Sequence, residues 1–558
     1  MHRLTRIFAL VTALLVSTSA LAEGPGKAAI ASAHELATKA GFEVLEAGGN
    51  GFDAAVAVSA ALAVVEPASS GIGGGGFWLL HRASDGFTTM VDGREEAPGA
   101  ATEDMYIDEN GEVNRDLAVN GPLAAGIPGA AAGWVHINRN YGRLPLAKVL
   151  APAIRLAEQG YEVDQKYRDL IGFREEVMNR WPYTAEIFLR DGKVPEPGTL
   201  IVQTDLAETL KRLAQNGHDG FYSGRTAELL VEGSRAAGGI WSLDDFAAYR
   251  AVEREPIKLQ HHDYTLLTAA PPSSGGVAIA QVLNLIEDFD WQSMGRVDRV
   301  HLLAEAMRRA YRDRALYMGD PDFVDIPIRM LISDDYAAGL RTTIRMDRAL
   351  PSAHLAADPD RLRESNNTTH FSLIDADGNM VSATLTVNLP YGSAFAAPGT
   401  GVLLNNEMDD FSAKPGEPNA FGLIGFAANS IQPGKRMLSS MSPTIVMGPE
   451  RTAVIGTPGG SRIITMVILG ILDFLEGNEP ESWVSLPRFH HQYLPDEISA
   501  ETDALSADEI AELEARGHTV TVRERPWGNM HGVMWEHASN TLSAAHDPRW
   551  ESGGAEVR

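Results

Sequence analysis

Two threonines in the latter part of the chain are spaced so that a hairpin would bring their hydroxyls together. The sequence predicts strands over 371–374 and 380–386, separated by the turn sequence Asp-Ala-Asp-Gly-Asn. With the turn centred on Asp377, Thr368 faces Thr386, and directly opposed side chains lie about 4.5–5.5 Å apart at Cβ. A threonine hydroxyl becomes a good nucleophile only when a base takes its proton, and one such base is the threonine's own terminal amine. The hairpin alone favours the simpler interpretation, an ordinary pair of hydrogen-bonded threonines.

The motifs around this hairpin change that balance. They are rich in glycine, serine, proline and paired acids, and in chain order they occupy 73–77, 92–95, 271–276, 319–323, 403–412, 435–444, 456–462, 487–492 and 547–549. In order and spacing they resemble the gamma-glutamyltranspeptidases, over nearly everything after the first two dozen residues. A motif set of this length is specific, although each piece alone would be weak.

The resemblance implies a fold and a maturation step. The fold is the αββα sandwich of the N-terminal-nucleophile hydrolases, an α+β class, in one compact body made of two autoprocessed subunits. Self-cleavage of the bond between Asn367 and Thr368 would give a large subunit, 23–367, and a small subunit, 368–558, held together without a covalent link. The freed Thr368 would attack a γ-glutamyl amide such as glutathione, form a γ-glutamyl ester, and pass the acyl group to water or to an amino acid or peptide acceptor.

The resemblance also assigns the catalytic groups, and it implies no cofactor. Thr368 is the nucleophile and Thr386 holds its hydroxyl in place. Gly459 and Gly460 supply the backbone N–H groups for the oxyanion, a role in which each preorganised donor contributes roughly 2.7–4 kcal/mol. As a bare dipeptide, Gly-Gly is typical of a turn.

Binding of a glutamyl group requires a cation for its α-carboxylate and anions for its α-ammonium. Arg94 matches the carboxylate-binding arginine, whose planar fork suits that ligand, and Asp410 matches the ammonium-binding acid. The residues implied to share these roles are Ser439 and Ser440 at the carboxylate, and Glu407 and Asn388 at the ammonium. Outside this framework Arg94 is typical of a surface ion pair and Asp410 of a solvated Asp-Asp turn, with Asp409 as the alternative acid.

Two positions depart from the pattern of the relatives. Glu407 stands where some bacterial relatives have glutamine. The negative charge of Glu407 would strengthen ammonium binding. Phe421 stands where several relatives have a gating tyrosine. Its segment, 415–429, is present, so a lid over the site is predicted without its hydrogen-bonded tyrosine latch.

Three other functions compete with the γ-glutamyl interpretation. A glutaryl or cephalosporin acylase of the same fold would act on substrates that lack the α-ammonium, so Asp410 and the lid segment favour the glutamyl substrate. A poly-γ-glutamate depolymerase is expected to lack a lid. A catalytically dead binding protein is disfavoured by the joint presence of Thr368, Thr386, Gly459 and Gly460.

Composition excludes several other classes. The net charge of −27 argues against nucleic acid and anionic membranes as partners, and the absence of cysteine excludes disulfides and thiolate chemistry. The first 22 residues have the basic start, short apolar run and Ala-Leu-Ala end of an export signal. The run is shorter than the roughly 20 residues of a membrane span, so we expect a periplasmic or secreted protein rather than a retained anchor.

Along the chain, helical patterns cover 34–47, with Asp53 as the cap of a second, small-residue helix. The middle, 144–348, is predicted to be mostly helical, with strands returning after Thr368, which suggests one layered body. The glycines of 71–76 match a dinucleotide fingerprint by letter only, because that motif requires a strand before it and a helix after it.

The adjacent His490 and His491 would point to opposite faces of a strand. Two such side chains cannot easily bind one metal ion, so we expect no metal site.

Overall fold

The strands of the fold are short and mostly antiparallel. The computed structural model describes residues 24–355 and 368–558. Within these ranges the strands are β1 Ala29–Ser32, β2 Gly75–Arg82, β3 Phe87–Gly93, β4 Tyr161–Glu162, β5 Leu200–Ile201, β6 Val252–Arg254, β7 Ile257–His261, β8 Tyr264–Thr268, β9 Thr369–Ile374, β10 Met380–Thr386, β11 Thr444–Met447, β12 Arg451–Gly456, β13 Phe489–His490, β14 Ile498–Glu501, β15 Val520–Arg523, β16 His531–Glu536, β17 Thr541–His546 and β18 Gly554–Val557.

Helices fill most of the chain between β3 and β9. In the described ranges they are α1 Glu35–Glu46, α2 Gly51–Val65, α3 Arg115–Val119, α4 Ala130–Tyr141, α5 Leu146–Val149, α6 Ala151–Gln159, α7 Gln165–Gly172, α8 Glu175–Met178, α9 Pro182–Phe188, α10 Thr204–Asn216, α11 Asp219–Tyr222, α12 Gly224–Ala236, α13 Leu243–Ala248, α14 Gly275–Ile286, α15 Arg296–Tyr317, α16 Ile328–Leu331, α17 Asp334–Arg341, α18 Ile463–Leu475, α19 Pro480–Ser485 and α20 Ala507–Ala515.

Two antiparallel sheets form the centre of the molecule. The first has the order β18-β1-β9-β10-β2-β3-β6 and the second the order β17-β16-β12-β11-β8-β7. The sheets face each other, with β9 packed against β12 and β16. Helices α2 and α4 cover the outside of the first sheet, and α14 and α18 cover the second. The layers are therefore helix, sheet, sheet, helix, and the predicted αββα sandwich is confirmed.

The predicted hairpin lies in the middle of the first sheet. Strands β9 and β10 pair with Ile374 opposite Met380 and Thr369 opposite Leu385, which is the register expected for a turn centred on Asp377. Both strands are buried along their whole length, so the hairpin is part of the core. Thr368 directly precedes β9 and Thr386 ends β10, so this register directs both threonines to the same end of the hairpin.

The glycines of 71–76 lie after a helix and lead into β2, so they have the opposite order to a dinucleotide loop. They allow backbones to approach closely. A Cβ on Gly74 would lie 2.1 Å from the carbonyl oxygen of Thr386, and one on Gly73 would lie 2.2 Å from that of Leu403. These glycines therefore let β2 and its preceding loop pack directly against the end of β10.

One local prediction was wrong. Helix α2 begins at Gly51 and its cap is Asn50, while Asp53 completes a capping box by accepting a hydrogen bond from the Asn50 N–H. The middle of the chain is mostly helical, as predicted. Three short strands lie within it: β6 forms one edge of the first sheet, β7 forms one edge of the second sheet, and β8 pairs with β7. The predicted export signal and Asn367 lie outside the described residues. In the described part of the chain, no helix has the length and apolar content to cross a membrane.

Candidate active site

Nearly all the predicted site residues line one small cavity, which we call the inner pocket. Its lining includes Arg94, Thr368, Thr386, Asn388, Glu407, Asp410, Ser439, Ser440 and Gly460, with Phe421 and Leu423 above them. The cavity measures about 20 Å³, which is room for about one water molecule. The inner pocket is therefore closed in this structure, and a ligand larger than water requires its walls to separate.

Arg94 lies at the centre of the buried charges. Its Nη2 donates to Asp410 Oδ2 at 2.5 Å, and its Nη1 lies 2.7 Å from Glu407 Oε2 and 3.9 Å from Glu95 Oε2. The same guanidinium donates to the carbonyl oxygen of Leu438 at 3.2 Å. Arg94 is 1% exposed, so one buried cation faces three carboxyl groups.

Burial raises the pKa of all three of these carboxyl groups, and Arg94 opposes that effect. The pKa of Glu407 lies well above its usual range, the pKa of Asp410 is raised, and that of Glu95 is raised to about 8. Burial disfavours a charged Arg94 as well, but the carboxylates of Glu407 and Asp410 raise the pKa of its guanidinium. The three carboxyl groups thus face one cation, Arg94, and an incoming ammonium group would add a second positive charge.

Asn388 has a side-chain oxygen available for a ligand. Its Nδ2 donates to the carbonyl oxygen of Asn406 at 2.8 Å, which fixes the amide. Its Oδ1 is buried and has no hydrogen-bond partner among the described residues. The backbone at Asn388 has φ +74°, a left-handed conformation that asparagine tolerates better than most residues. An acceptor held in this way suits an ammonium ligand.

Ser439 and Ser440 lie opposite the acids, and a second buried arginine supports them. Arg314 of α15 donates through Nε to Ser274 Oγ at 3.0 Å, and its Nη2 lies 3.4 Å from Ser440 Oγ. Ser274 Oγ in turn donates to the carbonyl oxygen of Ser439 at 2.8 Å. Burial lowers the pKa of Arg314 to about 10, so it remains a cation at neutral pH and adds positive potential at the carboxylate end.

The two threonines meet at this pocket with different surroundings. Thr386 Oγ1 accepts a hydrogen bond of 2.7 Å from the Asn388 N–H, which leaves its hydroxyl proton to donate elsewhere. Thr368 is 5% exposed. Its neighbour Thr369 donates to Glu66 Oε2 at 2.5 Å, and this bond anchors the start of β9 beside Thr368.

Gly459 and Gly460 each line a cavity that Thr368 also lines. Gly460 lines the inner pocket, and Gly459 lines a larger adjoining cavity, the outer chamber, whose walls include Thr368, Arg174, Arg525 and Trp527. The φ angles of Gly459 and Gly460 are +146° and +56°, values that side chains rarely adopt. Gly459 caps a 3-10 turn whose first residue is Gly460 and which leads into α18, and N–H groups at such a start favour an anion.

The segment 415–429 covers the inner pocket. Phe421 is buried and lines the cavity but has no hydroxyl to serve as a latch. The segment is instead held by Asn419 Nδ2, which donates to Asp410 Oδ1 at 3.0 Å, and by the Ala420 N–H, which donates to Asp409 Oδ2 at 2.9 Å. The lid is thus fastened to the same Asp-Asp pair that includes the ammonium-binding candidate.

Comparison with known proteins identifies the family of this chain. The family model for gamma-glutamyltranspeptidase matches residues 37–557. The chain belongs to the gamma-glutamyltranspeptidase family. A glutathione hydrolase proenzyme of Escherichia coli (strain K12) is 42% identical over 93% of this chain and 90% of its own length.

Solved structures include gamma-glutamyltranspeptidases and acylases. The gamma-glutamyltranspeptidase of Helicobacter pylori is 40% identical, with a TM-score of 0.57 over 60% of this chain and 97% of its own. The cephalosporin acylase from Bacillus halodurans has a TM-score of 0.83 and 26% identity over 95% of each chain. Transpeptidase and acylase therefore share this fold, and the side chains in the pocket must distinguish them.

In this member of the gamma-glutamyltranspeptidase family, sequence reasoning missed three residues that contact the pocket lining. Glu95 follows Arg94 directly, Arg314 lies within a long charged helix, and Asn419 lies in the lid segment. Their sequence surroundings are those of surface residues, and only the packing of distant segments buries Glu95 and Arg314 and brings Asn419 to Asp410. His490 and His491 contact different groups, Thr465 and Gln492 for the first and Arg308 for the second.

Proposed function

We propose that the protein is a gamma-glutamyltransferase and glutathione hydrolase whose nucleophile is Thr368. The observation that carries this proposal is that one buried pocket brings Thr368 together with a cation, Arg94, and with three groups that can accept from an ammonium, Glu407, Asp410 and Asn388. An α-amino acid head carries both a carboxylate and an ammonium, and the pocket presents both complements. The 42% identical glutathione hydrolase proenzyme supports the same assignment.

Maturation comes first in this proposal. The bond between Asn367 and Thr368 is cleaved by the chain itself, which gives a large subunit, 23–367, and a small subunit, 368–558, that stay associated without covalent linkage. The Helicobacter pylori chain supports this division, because its full length corresponds to 60% of this protein, a share close to that of the proposed large subunit. Since β1 of the large subunit lies between β18 and β9 of the small subunit in one sheet, the two pieces would share a sheet and remain together.

Binding replaces the internal ion pairs of the pocket with pairs to the substrate. The α-carboxylate takes the Arg94 guanidinium together with Ser439 and Ser440, and the α-ammonium takes Asp410 and Glu407. The Asn388 Oδ1 atom accepts a further hydrogen bond from the ammonium. Because the closed cavity holds about one water, Phe421 must move outward for the substrate to enter.

Acyl transfer then proceeds in two steps. The Thr368 amine takes the hydroxyl proton as Oγ bonds to the γ-carbonyl carbon, and the oxyanion lies against the N–H groups of Gly459 and Gly460. The C–N bond breaks, the amine leaves with a proton, and a γ-glutamyl ester remains. Water or an acceptor amine attacks the ester, and the Thr368 oxygen regains its proton. Thr386 donates to the Thr368 hydroxyl oxygen and orients it.

A glutaryl or cephalosporin acylase is the second candidate, favoured by the fold of the Bacillus halodurans enzyme and by a 38% identical acylase proenzyme of Pseudomonas sp. (strain SE83). Such a substrate would leave Asp410 and Glu407 without a cation beyond Arg94. The test is the kcat/KM of the purified protein on matched γ-glutamyl and glutaryl anilides. We expect the γ-glutamyl anilide to be preferred, and a preference for the glutaryl anilide would replace the proposal with the acylase.

We further infer that the protein acts outside the cytoplasm, in the periplasm or as a secreted protein. The basic and apolar composition of residues 1–22 supports this. Cell fractionation, with N-terminal sequencing of the exported material, tests it: a mature protein that begins near Glu23 is expected, and an uncleaved cytoplasmic chain would contradict it.

A further inference from the structure

Glu66 ends helix α2, which is an unfavourable place for an acid. It is the C-cap residue of α2, and every residue of that helix is buried. Glu66 is itself 5% exposed. A helix C-terminus carries a partial negative charge, so a buried carboxylate there raises the free energy of the folded state unless other groups bind it. The contacts of Glu66 therefore have to offset this cost.

Two side chains bind the carboxylate of Glu66, one at each oxygen. Lys166 of α7 pairs with Oε1, and Thr369 Oγ1 donates to Oε2 at 2.5 Å. Thr369 is fully buried. A hydrogen bond to a charged group is roughly twice as strong as one between neutral groups. Glu66 thus joins the end of α2 to the residue that directly follows Thr368.

The start of β9 needs such a contact, because it has a strand partner on one side only. Strand β10 pairs with β9 as far as Thr369, which lies opposite Leu385. Strand β1, on the other side, pairs with β9 only as far as Phe371. After the proposed cleavage, the new chain would begin at Thr368, one residue before this half-paired stretch. Chain ends are poorly ordered unless other groups hold them, and the bond from Thr369 to Glu66 holds this one.

The backbone of Glu66 helps to place the second threonine. Its carbonyl oxygen accepts from the N–H of Ser69 at 3.0 Å and from the N–H of Ser70 at 3.2 Å, which fixes the turn that follows α2. The same loop continues to Gly74, which packs directly against the carbonyl oxygen of Thr386. Glu66 therefore binds the neighbour of one threonine through its side chain and fixes the start of the loop that packs against the other.

We propose that Glu66 is a positioning residue for the nucleophile and that it acts through Thr369. The inference rests on the proposed function. In the uncut chain the bond from Thr369 holds the peptide that is to be cleaved, and in the cut protein it holds the new N-terminus so that the Thr368 hydroxyl stays beside Thr386. Glu66 itself transfers no proton. Because a displacement of about 1 Å can slow a reaction about a hundredfold, loss of this bond slows the chemical step more than it weakens substrate binding.

The test alters this hydrogen bond from both ends. Thr369→Val keeps the shape of the side chain, removes the donor and leaves the pair of Glu66 with Lys166 intact, whereas Thr369→Ser keeps a hydroxyl. Glu66→Gln removes the charge of the acceptor, and it is made alone and together with Thr369→Val. The control is Thr38→Val, which removes another buried hydroxyl, one that donates to the carbonyl oxygen of Gly554 at 3.0 Å.

Three quantities are measured for each protein. The rate of self-cleavage is followed by the intact masses of the chains over time. The kcat and KM on a γ-glutamyl anilide are determined per mole of cut protein. The melting temperature reports whether a change in rate accompanies a general loss of stability.

We expect Thr369→Val to cleave itself more slowly and to have a kcat about tenfold to hundredfold below that of the parent, with KM within about twofold. Thr369→Ser should restore both rates. Glu66→Gln, with a neutral acceptor, should lose a smaller factor in kcat. The double variant should lose no more than Thr369→Val alone, because both changes act on one bond. Thr38→Val should lower the melting temperature without changing kcat.

A Thr369→Val protein with the kcat and the self-cleavage rate of the parent would overturn the positioning role. Equal losses in Thr369→Ser and Thr369→Val would do the same, as would a double variant whose loss is the product of the two single losses. If Thr369→Val does not fold, a kcat of Glu66→Gln equal to that of the parent overturns the role. A parent that stays uncut and inactive would instead overturn the proposed function, and this inference with it.

Discussion

At the scale of single residues, the buried charges of the inner pocket converge on Arg94. It faces Asp410 at 2.5 Å and Glu407 at 2.7 Å in the closed pocket. Its removal would leave buried carboxyl groups without their cation, which typically costs about 3–5 kcal/mol of stability. Arg94 therefore stabilises the folded state in addition to the role in substrate capture that we propose for it, and a substitution must separate the two.

We predict that Arg94→Lys keeps most of the thermal stability but loses substrate capture, whereas Arg94→Gln loses both. Lysine keeps the charge and loses the planar fork. The expected loss in kcat/KM on a γ-glutamyl anilide is about 2–4 kcal/mol for either variant. Melting temperature and kcat/KM are measured for each variant. The control is Arg180→Gln, which removes an exposed ion pair with Asp116. A kcat/KM close to that of the parent in Arg94→Lys would mean that binding of the α-carboxylate does not require the planar guanidinium.

Asp410 and Asp409 form a matched pair for testing the ammonium site. Asp410 lines the inner pocket, while Asp409 faces the lid backbone and Arg115. Asp410→Asn keeps the shape and removes the charge that would meet the ammonium.

We predict that Asp410→Asn shifts the ratio of kcat/KM from γ-glutamyl toward glutaryl anilides roughly tenfold to hundredfold, as loss of one charged hydrogen bond implies. Asp409→Asn should leave the ratio close to that of the parent. A larger shift of this ratio in Asp409→Asn than in Asp410→Asn would show that Asp409, and not Asp410, binds the ammonium.

At the scale of structural elements, the sequence predicted the register of the hairpin but not the contacts that hold the lid. The register of β9 and β10 followed from the sequence because a tight turn and a buried core fix it on both sides. The lid's fastening through Asn419 did not, because it depends on a side chain that meets Asp410 only after folding. The cap of α2 was misassigned because Asn50 and Asp53 both suit a helix start, and the capping box uses both.

We predict that Asn419→Ala loosens the lid without disturbing the hairpin. The substitution removes the bond to Asp410 and two bonds that Asn419 Oδ1 accepts from the N–H groups of Phe421 and Leu423. Amide hydrogen exchange should become faster within 415–429 and stay unchanged in β9 and β10. Lys414→Ala, directly before the segment, is the control. Equal exchange in Asn419→Ala and the parent would show that the lid is held by other contacts.

A second property of the lid anchor is pH-dependent stability. Burial raises the pKa of Asp409 to about 7 from an ordinary value of 3.8. Between about pH 4 and pH 7 the folded state therefore keeps a proton that the unfolded state has lost, so this group lowers stability as pH rises, by at most about 1.4 kcal/mol per pH unit.

We predict that the melting temperature of Asp409→Asn, relative to the parent, rises from pH 4 to pH 7 and is constant above that. Asp503→Asn, an exposed acid, controls for general charge effects. If the difference in melting temperature between Asp409→Asn and the parent does not change with pH, Asp409 does not titrate in this range.

At the scale of the whole molecule, the strand order explains why a cut at Thr368 would be tolerated. β9, which follows the proposed cleavage bond, lies between β1 on one side and β10 on the other. The two subunits would thus share one continuous sheet and two hydrophobic cores. The short strands β6, β7 and β8 escaped prediction because each is three to five residues long within a helical region, and their pairing is set by the rest of the sheet.

The central claim is that Thr368 becomes an N-terminal nucleophile, and the intact masses of the purified protein under denaturing conditions test it most directly. We predict two polypeptides for the parent, one of them running from Thr368 to Arg558, and a single uncut chain without turnover for Thr368→Ala. An active parent that remains one chain, a fragment that begins at another residue, or cleavage that persists in Thr368→Ala would contradict the account.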